Sequence, residues 1–321
     1  MNDVLSSGML SQSSSSPLDP LSDVLEVLGA RVTRRTCLEA AGDWALSFPG
    51  MDRLKFVALL RGTCWMQIAG RAPHPMQAGD VCLIGTSDYA VSSDPTLTPE
   101  DGRPLFEGPG RDLARVGGDE TVSIGGTVTF AGPNADFLLD MLPDFMPVQR
   151  RTAGADAIAT ILSLMSQEIE RHAIGSGIVG ARLADLLLVE TFRAHAEQAG
   201  PAACGWFGAL LDPRIGRALQ TLHADVARAW TVADLAAVAG MSRAAFSAEF
   251  SRRIGQPPLA YLRSWRLTRA RRRLVRGEAT VAEVALAVGY QSQSAFSQAF
   301  LRHFGVSPST DARAQAGTVT P

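Results

Sequence analysis

The chain has 321 residues, 46% of them hydrophobic, with 30 Lys or Arg against 32 Asp or Glu and a formal net charge of −2. That length suits two domains. No apolar run reaches the roughly 18 residues of a membrane helix, and Cys37, Cys64, Cys82 and Cys204 lack the CxxC spacing of a zinc or disulfide framework. Residues 1–17 are Ser-rich and apolar-poor and read as a disordered leader, without the basic start and apolar run of a signal peptide. A cytoplasmic protein is expected.

Residues 18–150 read as β-rich. Trp44 to Phe48, Leu54 to Leu60, Thr63 to Ala69 and Asp80 to Ile84 are short apolar runs separated by turn signals at Pro49-Gly50, Arg61-Gly62, Gly70 and Ala78-Gly79-Asp80. Thr121 to Ile124 and Thr127 to Phe130 flank Gly125-Gly126, and Asp94 to Gly118 reads as a long loop. Many short strands with Gly turns predict a small barrel or sandwich. Trp44, Phe56 and Trp65 are candidates to line a pocket in it, with plain core packing as the alternative. His74, between two prolines, reads as a solvated turn residue, and no metal or cofactor is expected.

Residues 151–200 read as a helical pair. Ile158, Ile161, Leu162, Met165 and Ile169 make one apolar stripe, Leu183, Leu186, Leu187, Val189 and Phe192 a second, and Ile174 to Gly177 the turn between them. The pair packs on its own barrel or forms a dimer interface. Residues 201–211, rich in Ala, Gly and Pro, read as an interdomain linker.

Residues 212–313 contain one motif twice, ahead of a tail at 314–321. Thr231 to Met241 matches Thr280 to Tyr290 at an offset of 49; after one extra residue, Ser242, Phe246, Phe250, Gly255 and Pro258 match Ser292, Phe296, Phe300, Gly305 and Pro308 at 50. Thr231 with Asp234, and Thr280 with Glu283, have capping-box spacing. Gly240 and Gly289 end the first helix of each copy, and Ser242 and Ser292 open the second. Each copy is therefore a helix-turn-helix, whose second helix can enter a DNA major groove. Leu259 to Arg276 reads as one connecting helix of about 27 Å. With its turns it can set the second helices roughly one DNA turn, about 34 Å, apart. From Asp212 to Arg313 there are 15 arginines and no lysine against seven acids, a net +8 inside a chain of net −2. A basic domain on a near-neutral protein is the electrostatic footprint of phosphate binding.

These residues resemble the AraC/XylS family of bacterial transcription regulators over about 100 residues. The resemblance is carried by the Ala236 to Gly240 turn, Met241-Ser242, Arg266-Leu267, Ala270, the Ala285 to Gly289 turn, Gly289-Tyr290, Phe296, Phe300, Phe304-Gly305 and Pro308. It implies a bipartite reader of double-stranded DNA that recruits RNA polymerase. Its DNA-facing positions fall on Arg243, Ala244, Ser247 and Ala248, and on Gln293, Ser294, Ser297 and Gln298. The same eight follow from helix geometry, as the outward positions near each helix start that the phenylalanines leave free. Arg can bond guanine, Gln adenine, and Ala can touch a thymine methyl. Ala248 departs from the family, which commonly has Arg there, so the first helix offers one long reader.

The N-terminal pattern is similar to the cupin-like sensor domain of many such regulators, through Asp19 to Leu25, Phe48-Pro49-Gly50, Leu60-Arg61-Gly62 with Trp65, and Ala78-Gly79-Asp80. That resemblance implies a small-molecule effector in the barrel and a homodimer through the helical pair. The expected protein is α+β with two domains: a cupin-like barrel followed by helices, then an all-α double helix-turn-helix domain. It is expected to be an effector-controlled regulator, an activator and not an enzyme. The alternatives are a ligand-independent dimeric DNA-binding protein, or a metal-dependent cupin enzyme fused to a DNA-binding domain, which the missing His-x-His disfavours.

Overall fold

The computed structural model describes residues 19–316 except 51–52, 109, 131–136, 138, 140, 152–154, 172 and 201–204. The expected leader and Cys204 lie outside the described residues. The first element is α1, Pro20–Leu28, which was not anticipated from the sequence. Asp19 caps it by accepting from the Ser22 N–H at 3.0 Å, and Gly29 stops it in the left-handed region at φ 60°.

Eleven strands follow among the described residues: β1 Arg31–Ala40, β2 Ala45–Phe48, β3 Leu54–Arg61, β4 Thr63–Ile68, β5 His74–Gln77, β6 Val81–Ile84, β7 Tyr89–Ser92, β8 Glu100–Asp101, β9 Leu113–Val116, β10 Thr121–Thr129 and β11 Phe145–Val148. They form a six-stranded sheet in the order β11-β6-β3-β10-β1-β9 and a five-stranded sheet in the order β5-β4-β7-β2-β8. Val57, Leu59 and Cys82 of the first sheet share one core with Cys64, Met66 and Val91 of the second. Period-two alternation aims those positions inward.

Three expectations are corrected here. Gly125-Gly126 is not a turn: β10 runs straight through it, with Gly126 opposite Phe56 and Gly125 opposite Val57. The physical reason is close approach, because a Cβ on Gly126 would lie 2.1 Å from the Phe56 ring. The long loop at 94–118 contains β8, β9 and a short helix, α2, Arg103–Phe106. His74 is not in a solvated turn but opens β5, paired with Met66, half-buried and edge-on to Phe145.

Two helices, α3 Ala155–Arg171 and α4 Ser176–Ala199, cover the outer face of the six-stranded sheet. Ile158, Leu162, Leu187 and Phe192 pack there with Leu54, Phe56 and Ala58. Each such fully buried side chain contributes roughly 1.5–3 kcal/mol. The expected linker differs as well. Residues 206–211 form helix α5, Trp206–Leu211, with Trp206 and Phe207 buried, so this part of the connection is packed structure. The C-terminal domain comprises α6 Ile215–Ala224, α7 Val232–Ala239, α8 Arg243–Ile254, α9 Pro258–Val275, α10 Val281–Ala287, α11 Gln293–Phe304 and α12 Pro308–Ala316, which takes in the start of the expected tail.

Candidate nucleic-acid interface and effector cavity

Both repeats build the same local machine. The Thr231 and Asp234 side chains each bond the other's backbone N–H, at 3.1 and 2.9 Å, and Thr280 with Glu283 does the same at 3.3 and 2.8 Å. These bonds hold both carboxyls below their ordinary pKa. At the turns, the Met241 N–H reaches the Ala236 carbonyl and the Tyr290 N–H the Ala285 carbonyl, both at 2.9 Å. Gly289 (φ 86°) is doubly required: a Cβ there would meet the Ala227 carbonyl oxygen at 2.3 Å.

The second helices, α8 and α11, are capped by Ser242 and Ser292, which accept from Ala245 N–H at 3.3 Å and Ala295 N–H at 3.2 Å. Phe246 and Phe250 are fully buried with ring centroids 5.6 Å apart, and Phe296 and Phe300 repeat that figure. This fixes the roll of each helix. Arg243, Ala244 and Ala248 are exposed and Ser247 half-buried; Gln293, Ser294 and Gln298 are exposed and Ser297 half-buried. The two sets match position by position, at helix N-termini whose unpaired N–H groups favour anions. Glu249, beside the first set, is bonded to Arg252 at 2.7 Å and Arg253 at 2.6 Å. Those bonds pull its pKa down to about 2, so its charge is matched rather than aimed at phosphate.

Several arginines of α9 have partners that sequence could not reveal. Arg271 is buried and bidentate on Asp311 at 2.8 and 2.7 Å, with Phe304 under its guanidinium. Arg266 donates to the Val226 and Arg228 carbonyls at 2.8 and 2.6 Å. Arg269 and Arg272 turn to Asp23 and Glu26 of α1, at 3.4 and 3.9 Å. Asp23 also receives His223 Nδ1 at 2.7 Å, while His223 Nε2 lies 2.9 Å from the Tyr261 hydroxyl and Trp206 Nε1 donates to that hydroxyl at 3.3 Å. Burial holds the His223 pKa below its ordinary value, against the pull of Asp23. A neutral ring satisfies the whole chain: Trp206 donates to Tyr261, Tyr261 to Nε2, and Nδ1–H to Asp23. This buried line joins the N-terminal helix to the DNA-binding domain.

In the N-terminal domain a cavity of about 270 Å³ opens between the sheets, with Phe48, Val57, Tyr89 and Phe106 among its apolar walls. Of the three aromatics expected at a pocket, Phe56 lies in the wall, its ring buried over Gly126. Trp44 belongs to the core inside the barrel, and Trp65 sits half-buried on the opposite face of β4 from Cys64 and Met66. Neither lines this cavity. Sequence reasoning missed Lys55, Arg34 and Tyr89, which do; strand parity was the available signal for Lys55, two residues from inward Val57.

Known proteins share this organisation. A Cupin family model matches residues 19–197 and a helix-turn-helix domain model residues 235–314. An AraC-like transcription regulator of Streptomyces lividans is 39% identical over 294 residues, covering 91% of this chain and 97% of the relative. The HTH-type transcriptional regulator AlkR of Acinetobacter baylyi is 27% identical over 91% of this chain and 98% of its own. Among solved structures, the DNA-binding domain of AdpA in complex with a target DNA is 29% identical over 33% of this chain and 96% of that one, with a TM-score of 0.32.

Proposed function

Since the chain belongs to the AraC-type transcription regulators with an N-terminal cupin domain and a C-terminal helix-turn-helix domain, we propose that it is a one-component activator whose barrel binds a small-molecule effector. The observation that carries the DNA-reading part is the matched exposure of Arg243, Ala244, Ser247 and Ala248 on α8 and of Gln293, Ser294, Ser297 and Gln298 on α11. Both sets sit at helix starts and have the side chains to read base edges. The barrel cavity supports the sensing part. Effector binding shifts the balance between two arrangements of the domains, which requires tighter binding to the DNA-competent one. The link from cavity to reader runs through α4, α5 and the Asp23–His223–Tyr261–Trp206 line. RNA polymerase is the partner at promoters. A second copy pairs on α3 and α4, where Ile174 in their turn and Ile178 and Leu186 along α4 are exposed.

Binding-site selection from random duplexes tests the reader. Arg243→Ala weakens binding to the selected site by about 1–3 kcal/mol and relaxes one half of it; Gln293→Ala relaxes the other half only. Equal losses on selected and random DNA would make both residues phosphate contacts, and preference altered in both halves by either variant would end the two-groove reading.

A further inference from the structure

Of the 30 basic side chains, 29 are arginine; Lys55 is the only lysine in the chain. It stands on β3 in the wall of the barrel cavity, half-buried, with its Nζ 5.1 Å from the Tyr89 ring centroid and 5.7 Å from that of Phe48. Those two rings are themselves stacked at 5.2 Å. The cavity's other cations are matched. Arg34 donates to the Phe106 carbonyl and stands 3.8 Å from Asp112, and Arg103 is paired with Asp101 at 2.7 Å. Lys55 has no carboxylate within ion-pair distance among the described residues. Glu107, also on the wall, is exposed, and its charge is felt by Arg103 rather than by Lys55. Burial and the nearby Arg34 charge both pull the Lys55 pKa below its ordinary value, so the ammonium stands in a place that favours its loss.

We infer that Lys55 is the anchor for a carboxylate group on the effector, and that the ligand is a small monocarboxylic acid with an apolar or aromatic body. The inference rests on the reading of the barrel as the effector site. An unmatched cation among aromatic walls is completed by a monoanion whose remainder replaces water on Phe48, Val57 and Phe106. A phosphate ester fits less well, because it brings a second negative charge and three acceptor oxygens to one ammonium, while the arginines at the cavity are already engaged. Lysine suits the position, being a compact point charge on an apolar stem where a planar guanidinium is wide. A volume of about 270 Å³ lies at the small end of ligand cavities, which limits the body to about one ring or a short chain.

The single lysine makes the test direct. Reductive ¹³C-methylation of the full-length protein keeps the charge and gives one side-chain signal, separate from that of the α-amino group. The probes are acetate through decanoate, benzoate and phenylacetate, each against its primary amide. The expected result is a saturable shift with at least one acid, binding roughly tenfold or more tighter than its amide. The Lys55 titration should also move upward by about one unit or more. A ligand that only fills space near Lys55 cannot raise that titration. If acid and amide bind alike, the carboxylate inference is overturned while the barrel remains a ligand site. If no probe of either kind moves the signal, both the inference and the barrel reading fall.

Discussion

The two helix-turn-helix copies carry nearly the same residues and the same caps, yet they are buried in different company. The first copy has no core of its own. Leu235, Phe246 and Phe250 belong to one continuous cluster that passes through Trp206 and Phe207 to Phe192, Leu187 and the six-stranded sheet. The second copy is closed on itself: Val284, Phe296 and Phe300 pack with Leu267, Ala270 and Leu274 as a separate cluster, locked by the buried Arg271–Asp311 pair. The connecting helix α9 is divided accordingly, its Tyr261, Leu262 and Trp265 on the sensor side and its Leu267 onward on the far side. Duplication of a DNA reader therefore does not duplicate its coupling. A displacement of the N-terminal domain would meet the first reader through continuous packing, and the second only through α9.

The sharpest way to break that comparison is to open the same hole in each copy. Phe246→Ala and Phe296→Ala each remove a fully buried ring, at a cost of about 3–5 kcal/mol. Hydrogen exchange should separate them. Phe246→Ala is expected to raise exchange in α4, α5 and α8 together, because their side chains share one core. Phe296→Ala should raise it only in α10, α11 and the second half of α9. Equal spread from both sites would show that the two clusters melt as one and that the distinction has no energetic content.

A second perturbation acts on the first copy's tie to α1. His223 is neutral in the folded protein with a pKa held below its ordinary 6.5, so in acid the unfolded state binds the extra proton. The stability contributed by the His223–Asp23 contact is then fully present above about pH 6.5 and is lost as pH falls toward the lowered folded value. The measurement is the difference in thermal stability between wild type and His223→Gln across mildly acidic pH, which cancels the other histidines. The wild type should lose its advantage on acidification. A growing advantage would mean that Asp23 holds an imidazolium, with Arg269 moved aside.

What the sequence made legible follows the reach of each interaction. Caps, glycine stops and paired phenylalanines act within one or two turns, so both helix-turn-helix units and the α3–α4 pair could be read directly. β1 could not: Arg31, Arg34 and Arg35 interrupt its apolar pattern, and its pairing with β10 is made some ninety residues away. Gly125-Gly126 carried a true signal, close approach, that reads locally as a turn until Phe56 is placed opposite. The α9 arginines count toward the basic charge of the C-terminal domain, but Asp311 and Asp23 claim two of them from 40 and 246 residues along the chain. At the cavity, aromatic content pointed to Trp44 and Trp65, whereas strand parity would have pointed to Lys55.

The gentlest perturbation sharpens the comparison further, because it starts from equal chemistry. Thr231→Ala and Thr280→Ala remove the same cap from α7 and α10, each worth about 1 kcal/mol of helix stability. The first helices of the two copies meet different neighbours. α7 leans on α6, whose His223 is tied to α1, whereas α10 rests on α9 and α11. On the proposed effector mechanism, DNA binding should therefore respond unequally. Thr280→Ala weakens binding by a similar factor with and without effector, since it loosens a reader that the sensor does not touch. Thr231→Ala changes the ratio between the two conditions, because the loosened helix packs on α6, which is tied to the N-terminal domain through His223 and Asp23. The readout is DNA affinity in both states for both variants, and the same ratio in the two would place the sensor's influence on α9 alone.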